Sequence, residues 1–214
     1  EIVAVAQAQR HWGAPFVPAG CSGAGAGRNR CGRWRGRVGR VKEDARKLEG
    51  DAMYLGLDLG TSGVKALLID GDGAVVAQTG AALTVSRPEP LWSEQDPADW
   101  IAAAGDALDR LSAGHSLSGV AGIGLSGQMH GAACLDAADT VLRPAILWND
   151  GRAHEEAARM DAEGPFREIT GNIVFPGFTA PKVEWVRTHE PDIFDRTAKI
   201  LLPKDYLRLF LTGE

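Results

Sequence analysis

From residue 53 onward, short apolar runs alternate with clusters of glycine, aspartate and proline. Tyr54-Leu55-Gly56-Leu57-Asp58-Leu59 and Val64-Lys65-Ala66-Leu67-Leu68-Ile69 read as strands over 53–59 and 64–70, separated by the turn Gly60-Thr61-Ser62-Gly63. Asp70-Gly71-Asp72-Gly73 marks a second turn and Ala74-Val75-Val76-Ala77 a third strand, which predicts an antiparallel meander. The first strand is apolar on both faces, so a central, covered position is expected. Asp96-Pro97-Ala98-Asp99-Trp100 is a helix start. Asp96 can cap, Pro97 suits the first helical position, and Asp99 favours the positive end of the dipole. Trp100, Ala104, Leu108 and Leu111 then recur on one helical face, and Gly114 follows. The run Val120-Ala121-Gly122-Ile123-Gly124-Leu125 predicts a buried strand parallel to the first, because a helix precedes it. A further strand is expected at 145–148, with helices near 151–162, 181–189 and 204–211. Gly213 is placed to cap the last of these. No internal repeat is present.

Composition narrows the class. The 214 residues are 44% hydrophobic and 24% charged, enough to bury a core in one domain or two. No apolar run approaches the roughly 18 residues of a membrane span. The opening segment begins with an acid and holds only a short apolar patch, so it is not expected to act as a signal peptide. Cys21, Cys31 and Cys134 make no disulfide framework, and the first two lack the paired spacing of a zinc site. A reducing, cytoplasmic setting is the expectation.

Charge divides the chain near residue 52. Residues 1–52 carry ten Lys and Arg against five acids, whereas the remainder brings the total to −5. The stretch 20–42 is rich in Gly and Arg with little apolar periodicity, which predicts a disordered 1–52 extension. A Gly/Arg tract holding Trp34 can act as a nucleic-acid or phosphate-binding arm. The other reading is a segment that is not translated. Gly, Arg and Ala have GC-rich codons, and Leu48-Glu49-Gly50 can be encoded by a purine-rich string shortly before Met53. Met53 as the true start is the expectation, with neither nucleic acid nor membrane among the partners.

Three segments carry candidate chemistry. Asp58 ends the first strand beside the 60–63 turn. Gly60 and Gly63 permit backbone angles that other residues resist, and the turn can direct N–H groups and the Thr61 and Ser62 hydroxyls at phosphate oxygens. A carboxylate there would repel phosphate without a cation between them, so Asp58 implies Mg²⁺, held through water, with Lys65 adding positive charge. The plainer alternative is a hairpin with a capping aspartate. The GxxxxGK[ST] spacing of a P-loop is absent. The second segment, Gly127-Gln128-Met129-His130-Gly131, follows the 120–126 strand, and strand ends in α/β folds are where ligands bind. Gln128 and His130 suit a polyol, although a satisfied structural histidine is equally open. The third, again at a strand end, is Leu147-Trp148-Asn149-Asp150-Gly151-Arg152. A tryptophan face packs on sugar C–H surfaces and Asn or Asp binds hydroxyls. The alternative makes Asp150 a helix cap and Trp148 a core residue.

In this order, the motifs resemble the FGGY family of carbohydrate kinases, and most closely its bacterial xylulose-phosphorylating branch. The resemblance spans essentially all of 53–214, through "MYLGLDLGTSGVKALLID", "LTVSRPEPLWSEQDPADW", "GQMHG", "VLRPAILWNDGR", "TGN", "PGFTAPKVEWVRTHEP" and "LLPKDYLRL". It implies an α/β fold: a ribonuclease-H-like, actin/hexokinase-type N-terminal domain with a mixed sheet and flanking helices, incomplete at its C-terminal end. The implied reaction moves the γ-phosphoryl group of ATP to a sugar hydroxyl, with O5 of D-xylulose the expected acceptor and another pentulose or a polyol the alternative. By the same resemblance Asp58 helps position Mg²⁺ and Gly60, Thr61, Ser62, Gly63 and Lys65 face the ATP phosphates. Gln128, Met129, His130, Trp148, Asn149 and Asp150 form the sugar pocket.

One departure is large. Members of the family draw their general base from an aspartate in a later Gly-rich segment, and 53–214 contains no such segment. The implied second domain, with the adenosine site, is expected beyond residue 214, and a homodimer is among the expected states of the full-length protein. No catalytic base is assigned within this chain, so the segment alone is expected to be inactive. A standalone, non-catalytic binding module remains the alternative of a different class, separated from a kinase by whether the reading frame continues.

Overall fold

The structure, a computed structural model, describes residues 2–3 and 52–214. The expected disorder of 1–52 otherwise falls outside the described residues, as do Cys21 and Cys31. The elements run β1 (Ile2–Val3), β2 (Met53–Leu59), β3 (Gly63–Ile69), β4 (Val75–Ala82), β5 (Glu94–Gln95), α1 (Pro97–Gly114), β6 (Val120–Gly127), β7 (Ala133–Leu135) and β8 (Ala145–Ile146). They continue with α2 (His154–Glu163), α3 (Phe166–Thr170), α4 (Thr179–His189), α5 (Pro191–Arg196), β9 (Lys199–Leu201) and α6 (Pro203–Thr212).

A five-stranded sheet has the order β1-β6-β2-β3-β4. The meander β2-β3-β4 is antiparallel, as its turns require. After the α1 crossover, β6 returns parallel to β2. Asp96 accepts a hydrogen bond from the Ala98 N–H at 2.9 Å, so α1 starts where its cap signal placed it. Gly213, at φ 76°, ends α6 in the left-handed conformation.

The first strand is central, but among the described residues it is covered on one face only. Leu55, Leu57 and Leu59 point into the core with Val64, Ala66 and Leu68 of β3. Against them pack Trp100, Ala104, Leu108 and Leu111 of α1 and Leu207 of α6. Each of the buried leucine and valine side chains contributes roughly 1.5–3 kcal/mol by leaving water. The other face carries Tyr54, Gly56 and Asp58, and Tyr54 and Asp58 are exposed. The period-two alternation puts every leucine of β2 on one side, and the expected cover of the second face is not found among the described residues.

Short pairs complete the framework. The two-residue strands β5 and β8 join antiparallel, and β7 joins β9. A second cluster of Ile146, Ala153, Trp185 and Val186 lies under these loops. The strand expected over 145–148 shrinks to β8, which leaves Trp148 outside it.

Candidate functional site

The turn 60–63, the segment after β6 and the segment after β8 meet at one end of the sheet. The turn is closed by the Gly60 N–H donating to the Gly63 carbonyl at 3.0 Å. The Gln128 N–H donates to the Leu59 carbonyl at 2.8 Å, which ties the second segment to the end of β2. Gly63 serves by close approach, since a Cβ there would lie 2.6 Å from the Ala81 carbonyl oxygen. Neither Gly60 nor Gly63 has a positive φ, so angular freedom is not what these glycines supply.

Side chains link the segments directly. Trp148 Nε1 donates to Thr61 Oγ1 at 2.9 Å, and Thr61 Oγ1 donates to Gln128 Oε1 at 3.0 Å. Gln128 Nε2 donates to Gln95 Oε1 at 3.0 Å, and Gln95 Nε2 donates to the Thr61 carbonyl at 2.8 Å. Trp148 is 49% exposed, so it is a surface residue of this site and not the core residue of the alternative reading. Met129 is likewise exposed. Asn149 is exposed and lines an open groove of about 450 Å³ with the 87–93 loop.

His130 sits at φ 62°, a left-handed conformation uncommon outside glycine. Its carbonyl accepts from Lys182 Nζ at 2.6 Å, and the same ammonium donates to the Gly177 carbonyl at 2.6 Å. The His130 ring packs against Phe178 with centroids 4.7 Å apart. Burial, and then the Lys182 charge, lower the His130 pKa below the ordinary histidine value. Lys182 is fully buried, and desolvation pushes its pKa down to about 7, with the Asp150 charge opposing and Arg152 assisting. A Cβ at Gly177 would lie 2.5 Å from the Trp148 carbonyl, so this glycine lets the Phe175–Phe178 segment close onto the third segment.

Asp58 and Lys65 are directly opposed across β2 and β3 on the open face, with Ser126 of β6 flanking Asp58. Both are exposed, and no ion pair within 4 Å joins them among the described residues. Nor do the described residues contain a cluster of three or more metal-ligating groups. A single exposed carboxylate matches what Mg²⁺ takes when waters and substrate phosphates fill its other positions. Ser62 is exposed beside it on the turn, whereas the Thr61 hydroxyl proton is committed to Gln128.

Asp150 departs from the sequence reading. Its side chain is 0% exposed. Oδ1 accepts from the Arg152 backbone N–H and Nε, while Oδ2 accepts from the Ser93 N–H at 2.6 Å and from Arg152 at 2.7 Å. It does not cap a helix either, because α2 begins at His154 with no side-chain cap. The carboxylate belongs to a buried ion network. Glu94 Oε1 lies 2.6 Å from Arg143 and 2.9 Å from Arg152, and the Arg152 guanidinium stacks 3.6 Å from the Trp92 ring centroid. Both of its oxygens accept from protein donors, so Asp150 shapes the Trp148-Asn149 loop from beneath. Gln95 and Lys182 are the residues that reading by segments missed. Both lie in motifs singled out in the sequence, but only the fold shows them reaching the site.

Comparison with known proteins gives a consistent assignment. The model of the N-terminal domain of the FGGY family of carbohydrate kinases matches residues 53–214. The xylulose kinase of Escherichia coli (strain K12) is 58% identical over 163 residues, covering 76% of this chain and 34% of that protein. The xylulose kinase of Bacillus subtilis (strain 168) is 43% identical, over 74% of this chain and 33% of its own length. Among solved structures, a "xyloylose kinase" from Brucella ovis superposes with a TM-score of 0.75 at 65% identity, covering 76% of this chain and 34% of that one. A xylulose kinase from Rhodospirillum rubrum gives a TM-score of 0.72 at 35% identity, over 76% and 35% respectively. The chain thus spans about a third of the length of the relatives it matches. Its mixed sheet with α1 and α6 on one face is the N-terminal part of the actin/hexokinase-type fold of these kinases, and the chain belongs to the FGGY family of carbohydrate kinases.

Proposed function

We propose that this chain is the N-terminal part of an ATP-dependent sugar kinase that phosphorylates O5 of D-xylulose to give D-xylulose 5-phosphate. The observation that carries the reading is the direct contact between the two kinds of segment. The glycine turn suited to phosphate is hydrogen-bonded through Thr61 to Gln128 and Trp148, the groups suited to a polyol. An acceptor hydroxyl bound by the second set would therefore lie next to phosphates bound by the first. The xylulose kinases similar to this chain support the choice of sugar.

In this reading Trp148 covers the C–H face of the sugar, while Gln128, His130 and Asn149 meet its hydroxyls. The Lys182 bridge holds His130 in position, and its lowered pKa keeps the imidazole neutral near pH 7, able to donate or accept. Met129 supplies an apolar wall. The backbone of the 60–63 turn, the Ser62 hydroxyl and Lys65 face the ATP phosphates. When bound, Mg²⁺ supplies the charge neutralisation that lets phosphates approach Asp58. Catalysis by these groups is positioning and electrostatic stabilisation. The base that takes the proton of the attacking hydroxyl is proposed to come from a later Gly-rich segment of the full-length protein, as is the adenosine pocket.

The test is ADP release by the full-length protein with Mg-ATP across D-xylulose, D-ribulose and glycerol. D-xylulose is expected to give the highest kcat/KM, and the 214-residue chain is expected to give no turnover. A higher kcat/KM for ribulose or glycerol would replace the substrate assignment.

A further inference from the structure

Gln95 accepts and donates at every position its amide offers. It is 2% exposed. Its Oε1 accepts from Trp100 Nε1 at 2.9 Å and from Gln128 Nε2 at 3.0 Å. Its Nε2 donates to the Thr61 carbonyl at 2.8 Å and the Thr84 carbonyl at 3.2 Å. The orientation of this amide is dictated by chemistry. An indole N–H only donates, so the group facing Trp100 must be the oxygen. The NH₂ is thereby aimed at two carbonyls, which only accept.

That choice propagates. With Gln95 Oε1 as the acceptor, Gln128 must present its own NH₂ to Gln95 and its oxygen to Thr61. The Thr61 hydroxyl must then donate to Gln128 and accept from Trp148 Nε1. Trp100, anchored at 0% exposure in the main core, therefore fixes a closed ring of Gln95, Thr61 and Gln128 with one consistent direction of donation. The ring joins the turn to the polyol-facing segment by side chains whose sequence separations reach 67 residues.

We propose that Gln95 is a positioning residue that couples the phosphate turn to the sugar-facing Gln128 and Trp148, so that occupancy of one side strengthens binding at the other. The inference rests on the kinase reading above. A phosphate drawn onto the turn fixes the Thr61 backbone, and Gln95 passes that constraint to the Gln128 amide. An ordered sugar hydroxyl at Gln128 acts in the reverse direction with the same coupling, as linkage requires.

The experiment uses the full-length protein. D-xylulose affinity is measured by tryptophan fluorescence with and without saturating Mg²⁺ and adenylyl imidodiphosphate. Wild-type enzyme is expected to bind D-xylulose about tenfold more tightly when the nucleotide analogue is present, within the usual range of coupling between sites. Gln95→Glu keeps the shape and the acceptor oxygen but loses the donor, and is expected to bring that factor close to one. Gln95→Met, neutral and of similar length, is the second variant should a buried carboxylate prevent folding. A merely structural residue would shift the melting temperature and leave the coupling intact. Full coupling in a folded Gln95→Met or Gln95→Glu enzyme overturns the inference alone, as does wild-type coupling of one. A wild-type enzyme that neither binds nor phosphorylates D-xylulose overturns the kinase reading and this inference with it.

Discussion

Replacing Asp150 with alanine tests whether that carboxylate is part of the framework or of the ligand pocket. The side chain is fully buried and accepts hydrogen bonds from Ser93 N–H and from three nitrogens of Arg152. Its removal leaves the Arg152 guanidinium, itself 1% exposed, short of its principal counter-charge. Breaking one partner of a buried pair costs about 3–5 kcal/mol. Here Arg152 retains Glu94 at 2.9 Å and the face of Trp92, which places the loss near the lower end. A decrease of about 3 kcal/mol corresponds to a fall in Tm of roughly 10 °C for a domain of this size. Asparagine is no remedy, because its NH₂ must face either the Ser93 N–H or the Arg152 donors. Urea unfolding followed by tryptophan fluorescence measures the change, since Trp92 and Trp185 both lie against Arg152. Stability within about 1 kcal/mol of wild type, well short of the ~3–5 kcal/mol of a broken buried pair, together with weakened sugar affinity, would show that the carboxylate faces the ligand and refute the assignment to the framework.

Three further outcomes are expected. Trp148→Ala, at a half-exposed position, should leave stability within about 0.5 kcal/mol while raising the KM for the sugar in the full-length enzyme; an unchanged KM would remove Trp148 from the pocket. Gly63→Ala should destabilise by about 1–3 kcal/mol in chemical unfolding, because its Cβ would stand 2.6 Å from the Ala81 carbonyl oxygen. Lys182 is protonated in the unfolded chain up to its ordinary value of 10.5, whereas the folded chain releases that proton above about 7. Unfolding therefore takes up a proton between these values, so the Lys182 contribution makes stability rise with pH across that window, by at most ~1.4 kcal/mol per pH unit, and stay flat below it. Unfolding free energies from pH 6 to 9 should show this slope in wild type and a flatter one in Lys182→Met, and equal slopes would contradict it.

Local physics made much of the fold legible. The meander follows from turn residues between period-two runs, the start of α1 from an Asp-Pro cap, and the parallel return of β6 from the helix before it. The three strand-end segments of the site were legible for the same reason, since glycines and polar side chains bunch where strands stop. What escaped was set by distance in sequence. Nothing near Lys182 shows that its ammonium meets a carbonyl 52 residues away. Nothing in Trp-Asn-Asp-Gly-Arg reveals that the aspartate turns inward to Arg152 and Ser93 while the tryptophan turns outward. The half-open sheet is a comparable case. Tyr54, Gly56, Leu67 and Ile69 share one face by register, yet apolar letters alone do not tell whether a second layer lies over it.

The central claim is that these residues hold the sugar half of a xylulose-phosphorylating site, and the product reports on it most directly. Full-length protein incubated with D-xylulose and Mg-ATP, followed by phosphorus NMR, is expected to yield a single monoester resonance coupled to the protons on C5. No phosphoester, or a phosphoryl group on any other carbon, would contradict the account.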